Sequence, residues 1–113
     1  MWCHAGISRR IVVPNLTGLV DQLLETYPNL WIDLSWVVYD DYVAPGGKPA
    51  PEWVALIEKY PGRFLVGSDQ VGHFATLPQT MARYVSLLEK LSADTANKLA
   101  RDNFLALLPA WAR

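Results

Sequence analysis

Two stretches about thirty residues apart follow one plan, "YPNLWIDL" at 27–34 and "YPGRFLVG" at 60–67. In each, a helical pattern ends in Tyr-Pro, a two-residue turn follows, and a short apolar run begins. Pro28 and Pro61 close the helices because proline lacks an N–H and its ring clashes with the preceding turn. Ahead of the first, Leu16, Leu19, Val20, Leu23, Leu24 and Tyr27 fall at the three-and-four spacing of one helical face. Ahead of the second, Pro51 stands at a first helical position, and Trp53, Leu56, Ile57 and Tyr60 repeat the face. A repeat of about thirty residues is the size of a strand-plus-helix unit, so parallel strands joined by helical crossovers are expected.

Three apolar runs supply the strands: "MWCHA" at 1–5, "LWIDLS" at 30–35 and "RFLVGS" at 63–68. Each is too short for a helix and ends in small or polar residues. Beyond them, Met81, Tyr84, Val85 and Leu88 mark a third helix, and Ser92 is placed to cap a fourth carrying Ala96, Leu99, Ala100, Phe104 and Leu107. Doubly wound sheets and βα barrels both satisfy this pattern. No G-x-G-x-x-G follows any of the runs, which weakens a dinucleotide-binding assignment. The segment "WVVYDDYVAPGGKPA" at 36–50 exceeds the usual length of such connections and is a candidate substrate-binding loop.

Composition limits the partners. The 113 residues make one domain by size, and 51% hydrophobic content is ample for a core. A formal charge of -1, with basic residues scattered along the chain, leaves no footprint for nucleic acid or an anionic membrane. No apolar run approaches the roughly eighteen residues of a membrane span, and the first residues lack the basic-then-apolar order of a signal peptide. The chain is therefore expected to be soluble and cytoplasmic. Its single cysteine, Cys3, cannot form an internal disulfide, in keeping with a reducing compartment. Five tryptophans and five tyrosines suggest surface buried against something beyond this chain.

In either architecture the C-terminal ends of the strands carry the site, and His4 and Asp69 stand at such ends. A carboxylate there is costly unless a metal, a cation or hydrogen-bond donors hold it; capping of the next loop is the plainer role for Asp69. His4 precedes Ala5 and Gly6, which permit close approach of a ligand; a hydrogen-bonded core histidine is the plainer role. Together the pair suits metal binding or general acid-base work, although a catalytic zinc usually takes about three protein ligands. Arg9 and Arg10 are placed to clamp a substrate carboxylate or to be simply solvated. Trp36, Tyr39 and Tyr42 either line a pocket or cover its mouth, and His73 is a loop or pocket residue. Asp33, between apolar neighbours, is expected to be paired, and Cys3 to be a small buried hydrophobe.

The segments "WCHAGISRR", "NLWIDLSW", "RFLVGSDQ" and "TANKLARDNFLALLP" resemble the C-terminal part of the amidohydrolase superfamily. The nearest branch is the amidohydrolase-related group that includes the aminocarboxymuconate semialdehyde decarboxylase-like enzymes. The resemblance implies an α/β fold in which residues 1–113 form a single partial domain, about strands 6 to 8 with their helices of a TIM-like (β/α)8 barrel with parallel strands. His4-Ala5-Gly6 is similar to the H-x-G motif of the sixth strand, whose histidine polarises substrate or shuttles protons. Gly67-Ser68-Asp69 is similar to the G-S-D of the eighth, whose aspartate binds the metal and takes a proton from its water. Asn103, before Phe104, matches the closing helix, whereas the H-x-H pair of strand one and the histidine of strand five have no counterpart.

The function so implied is a metal-dependent hydrolase, a fragment here, in which zinc or manganese activates water against a small organic substrate. His4 and Asp69 would be catalytic, Asp69 also the metal ligand, and Arg9, Arg10, Trp36, Tyr39 and His73 would bind substrate. The alternatives are a non-hydrolytic decarboxylase on the same scaffold, or a non-catalytic half-barrel that pairs with a copy of itself or with a missing N-terminal half.

Overall fold

Residues 1–8 and 12–113 are described in the computed structural model. Helix α1 (Leu16–Thr26) buries Leu16, Val20 and Leu24 of the face marked by the apolar spacing, whereas Leu19 and Tyr27 of that face are exposed. Helix α2 (Pro51–Lys59) starts on a proline, carries Glu52 in its first turn and Lys59 in its last, and so complements the helix dipole at both ends. The two helices are tied on their outer side, where Lys59 Nζ lies 2.7 Å from Asp21 Oδ1 and 3.1 Å from Glu25 Oε1. The Tyr60 hydroxyl donates to the same Asp21 oxygen at 2.7 Å.

Strand β1 (Ile32–Asp33) pairs in parallel with β2 (Phe64–Leu65), Ile32 opposite Phe64 and Asp33 opposite Leu65. On the other side of β1, Trp2 makes a single parallel bridge to Ile32, its N–H donating to Trp31 O at 2.7 Å. The spatial order is therefore Trp2, β1, β2. Ile32, Leu34 and Phe64 are wholly buried among Val20, Leu24, Ile57 and Leu87, which makes this small sheet the centre of the core.

After β2 come α3 (Leu77–Ala82), α4 (Val85–Leu88) and α5 (Ala93–Asn97). A π-helical stretch (Lys98–Asp102) then leads into α6 (Asn103–Leu107). Ser92 caps α5, its Oγ accepting from the Thr95 N–H, and Glu58 of α2 accepts from Ser92 and Thr95, joining the second helix to the C-terminal ones. The segment 36–50 is not an open loop. It holds a π-helical turn (Tyr39–Val43), with Tyr39 and Val43 buried, and a 3-10 turn (Pro45–Gly47).

The expected barrel is overturned. Of the described residues 59% are helical and 5% strand, and their sheet is a two-stranded open one. Two local causes end the pairing. The first run stops after Trp2 because His4 and Ala5 take left-handed φ of 54° and 46°, curling residues Cys3–Gly6 into a 3-10 turn. The free edge of β2 meets a side chain rather than a further strand: Asn103 Nδ2, buried, donates to Phe64 O at 2.8 Å and to Pro61 O at 2.8 Å. An edge carbonyl satisfied by an amide has no need of a neighbouring strand. The picture of strands 6 to 8 of a (β/α)8 barrel, and with it that of a half-barrel awaiting its other half, is therefore not the architecture of this chain.

The aromatic load is distributed unevenly. Trp53 is core at 2% exposure, Trp2, Trp31 and Trp36 are half-buried, and Trp111 near the C-terminus is 88% exposed. Among the described residues no helix is long and apolar enough to cross a membrane.

Candidate functional site

Parallel pairing delivers three chain segments to one end of the sheet, and the residues that follow each segment leave extended backbone abruptly. His4 (φ 54°), Trp36 (φ 62°) and Asp69 (φ 46°) all adopt left-handed backbone there. A non-glycine residue in that region costs on the order of 1–3 kcal/mol, and such strain concentrates where a chain positions functional groups.

The central group begins with Asp33, the last residue of β1. Its Oδ1 accepts the Ser35 N–H at 2.8 Å, a local turn of the kind short acidic side chains make two residues ahead. Its Oδ2 accepts the Ser35 hydroxyl at 2.6 Å. Ser35 is itself 2% exposed. From the first segment, His4 Nδ1 comes within 2.9 Å of Ser35 Oγ, 3.3 Å of Ser35 O and 3.8 Å of Asp33 Oδ2. A serine hydroxyl has one proton, and here it goes to the carboxylate. Nδ1 therefore faces acceptors only and carries the ring proton, which assigns Nε2 as the unprotonated acceptor of neutral His4. Among the described residues no hydrogen bond reaches Nε2.

Glycine at 67 permits this packing. A Cβ there would stand 3.0 Å from Asp33 Oδ1 and 3.3 Å from Ser35 Cβ, both tighter than ordinary contact. The carbonyl of Gly67 is in turn held by the Tyr84 hydroxyl at 2.8 Å, with Leu34 O at 3.2 Å, so one buried phenol pins both strand ends. Burial pushes the Tyr84 phenol above its ordinary pKa.

His4, Asp33, Ser35, Asp69 and Cys3 line one concavity of about 260 Å³, closed on one side by Leu65 and Val66. Its polar walls include two carboxylates, and no described Lys or Arg lines it. Trp36 packs edge-on against His4, ring centroids 5.1 Å apart. Of the residues singled out from sequence, His4 and Asp69 are thus brought to one site, with Trp36 beside it. Tyr39 belongs to the core, 1% exposed with its hydroxyl donating to Arg83 O at 2.9 Å. His73 is exposed in the following loop, where its carbonyl accepts from Thr76 N at 3.0 Å. Arg9 and Arg10 lie outside the described residues. Cys3, expected to be buried, is exposed.

Asp33 is paired, as its place between apolar neighbours led one to expect, but its partner Ser35 was not evident from sequence. The available signal was the Asp-x-Ser spacing of "DLS", since short polar side chains two residues apart bond each other's backbone.

Among the described residues no group of three or more His, Cys, Asp or Glu could hold a metal ion, and His4 Nδ1 is already engaged with Ser35. The assignments as a metal-dependent hydrolase, and as a decarboxylase on that scaffold, fall with the barrel that would have carried them. Comparison with family models, with curated proteins and with solved structures finds no match to this chain. It is a small, mostly helical domain built on an open two-stranded sheet, and not an amidohydrolase-type barrel.

Proposed function

We propose that the concavity at the strand ends binds a small molecule through a hydrogen-bond-donating group, with His4 Nε2 as the acceptor of that bond or of its proton. The observation that carries this reading is the Asp33–Ser35–His4 chain, with contacts of 2.6 and 2.9 Å, which sets acceptors against Nδ1 and so favours the proton there. A surface histidine exchanges between two tautomers and turns freely; one held by a buried serine presents the same nitrogen in a constant direction. Such an imidazole is prepared to accept before any ligand arrives, and less ordering is then required on binding. The left-handed backbone at His4, Trp36 and Asp69 supports the same reading.

Phenol is a suitable probe, being neutral, small and an O–H donor. Calorimetric titration of phenol into the wild-type chain is compared with His4→Asn. Asparagine tolerates the left-handed backbone of position 4 and keeps a donor toward Ser35, but has no atom in place of Nε2. The expected result is saturable binding that weakens about tenfold in the variant, the loss of roughly one hydrogen bond. No saturable binding, or equal affinity in both proteins, contradicts the proposal.

A further inference from the structure

We infer that the ligand of this pocket is an uncharged amphiphile, a phenol or alcohol with an apolar tail, an inference that rests on the reading above and adds the ligand class. The polar concavity does not stand alone. Leu65, Val66, Gly67 and Phe104 form a wall that it shares with a second concavity of about 450 Å³, which runs on between β2, α3 and α6. That second space is lined chiefly by apolar side chains, among them Leu77, Met81, Leu99 and Leu105. Phe104, which lines both concavities, is 59% exposed, and Leu77, which lines the second, is 36% exposed. The two concavities thus adjoin along that shared wall, and one molecule that satisfies both must carry a donor at one end and hydrocarbon at the other.

Charge selects among such molecules. The acceptor His4 shares its concavity with the carboxylates of Asp33 and Asp69, so an anionic head is repelled. Both Asp33 oxygens already accept hydrogen bonds from Ser35, which reduces what a cationic head would gain there. Arg101, on the rim of the apolar channel, is paired with Asp102 at 3.5 Å. A neutral O–H donates to Nε2 without the desolvation cost that a cationic head must recover from Asp69 alone.

The test is a calorimetric series of phenol, 4-ethylphenol, 4-butylphenol and 4-hexylphenol, kept below micelle formation, on the wild-type chain and on Leu77→Gln. Leu77 lines only the apolar concavity of the two and is partly exposed, so a polar side chain is accommodated there without disturbing His4. Affinity is expected to rise about twofold per added methylene, less than the roughly fourfold of full burial because the channel is open on one side. Leu77→Gln should flatten that rise and leave phenol itself unchanged. Phenol binding that depends on His4 but not on tail length overturns the amphiphile and leaves the pocket standing; loss of phenol binding altogether overturns both. Hexylbenzene binding as tightly as 4-hexylphenol, or 4-hexylbenzylammonium binding more tightly, also overturns the inference.

Discussion

His4 Nδ1 and Ser35 Oγ lie 2.9 Å apart although thirty-one residues separate them in the chain. The contact exists because Trp2 pairs alongside Ile32, placing the residue two beyond the first segment over the residue two beyond β1. The site is thus a product of sheet pairing that lasts for very few residues, and its supports should be measurable one by one.

Gly67→Ala tests how tightly the strand ends are packed. The added Cβ meets Asp33 Oδ1 at 3.0 Å and Ser35 Cβ at 3.3 Å, so the Asp33–Ser35 turn must shift. A loss of about 1–3 kcal/mol is expected, as for overpacking elsewhere. Urea unfolding measures it, and an unchanged midpoint would count against the close packing.

Asn103→Ala removes the amide that closes the β2 edge. The carbonyls of Phe64 and Pro61 would both lose a donor 2.8 Å away, the first in a buried setting. A cost of about 1–3 kcal/mol follows from leaving buried acceptors unsatisfied. Hydrogen exchange should quicken at β2 and α6 more than at α1; uniform quickening would deny the residue its local role.

Alkaline pH should destabilise the fold through its buried phenols. Burial raises Tyr39 and Tyr84 above their ordinary 10.0. A raised value in the folded state means the neutral form is favoured there, so the stability is fully present below pH 10.0 and is lost as pH climbs toward the folded values. Lys59, raised chiefly by its bond to Asp21, acts in the same sense, though weakly because it is exposed. Tyr84→Phe should be less stable at neutral pH by about 1 kcal/mol and show a shallower alkaline decline. An identical slope in that variant would contradict the assignment.

Acid should loosen the joint between α2 and α5. The Ser92 N–H, followed by the Thr95 hydroxyl, holds the Glu58 carboxyl below its ordinary 4.5. A lowered value places the stability above the unfolded pKa and removes it as pH falls through the folded one. Unfolding of the wild-type chain followed from pH 6 to pH 3 should therefore show a decline that Glu58→Gln lacks. The comparison fails the account if both proteins decline alike.

The local elements were legible in the sequence. The faces of α1 and α2, the stop at each Tyr-Pro and the Ser92 cap all depend on neighbours within one or two turns, and they stand where the spacing puts them. The global architecture was not. An apolar run such as "RFLVGS" shows that a strand can form, but whether it gains a neighbour depended on Asn103, nearly forty residues away, reaching Phe64 O. Triplets such as His4-Ala5-Gly6 and Gly67-Ser68-Asp69 are short, and at these positions they serve left-handed turns of a helical domain. The site was half legible: His4 and Asp69 were marked by standing after apolar runs, whereas Ser35 gains its role only from the approach of His4 across the sheet.

The most direct measurement is the tautomeric state of His4, read from two-bond proton–nitrogen spectra of the two imidazoles near neutral pH, with His4→Asn to assign the signals. The account predicts that the neutral form of His4 carries its proton at Nδ1 with Nε2 bare, a tautomer lost in Ser35→Ala, and an Nε2 resonance that moves when phenol is added. A His4 protonated at Nε2, or one whose spectrum ignores both Ser35→Ala and phenol, would contradict it.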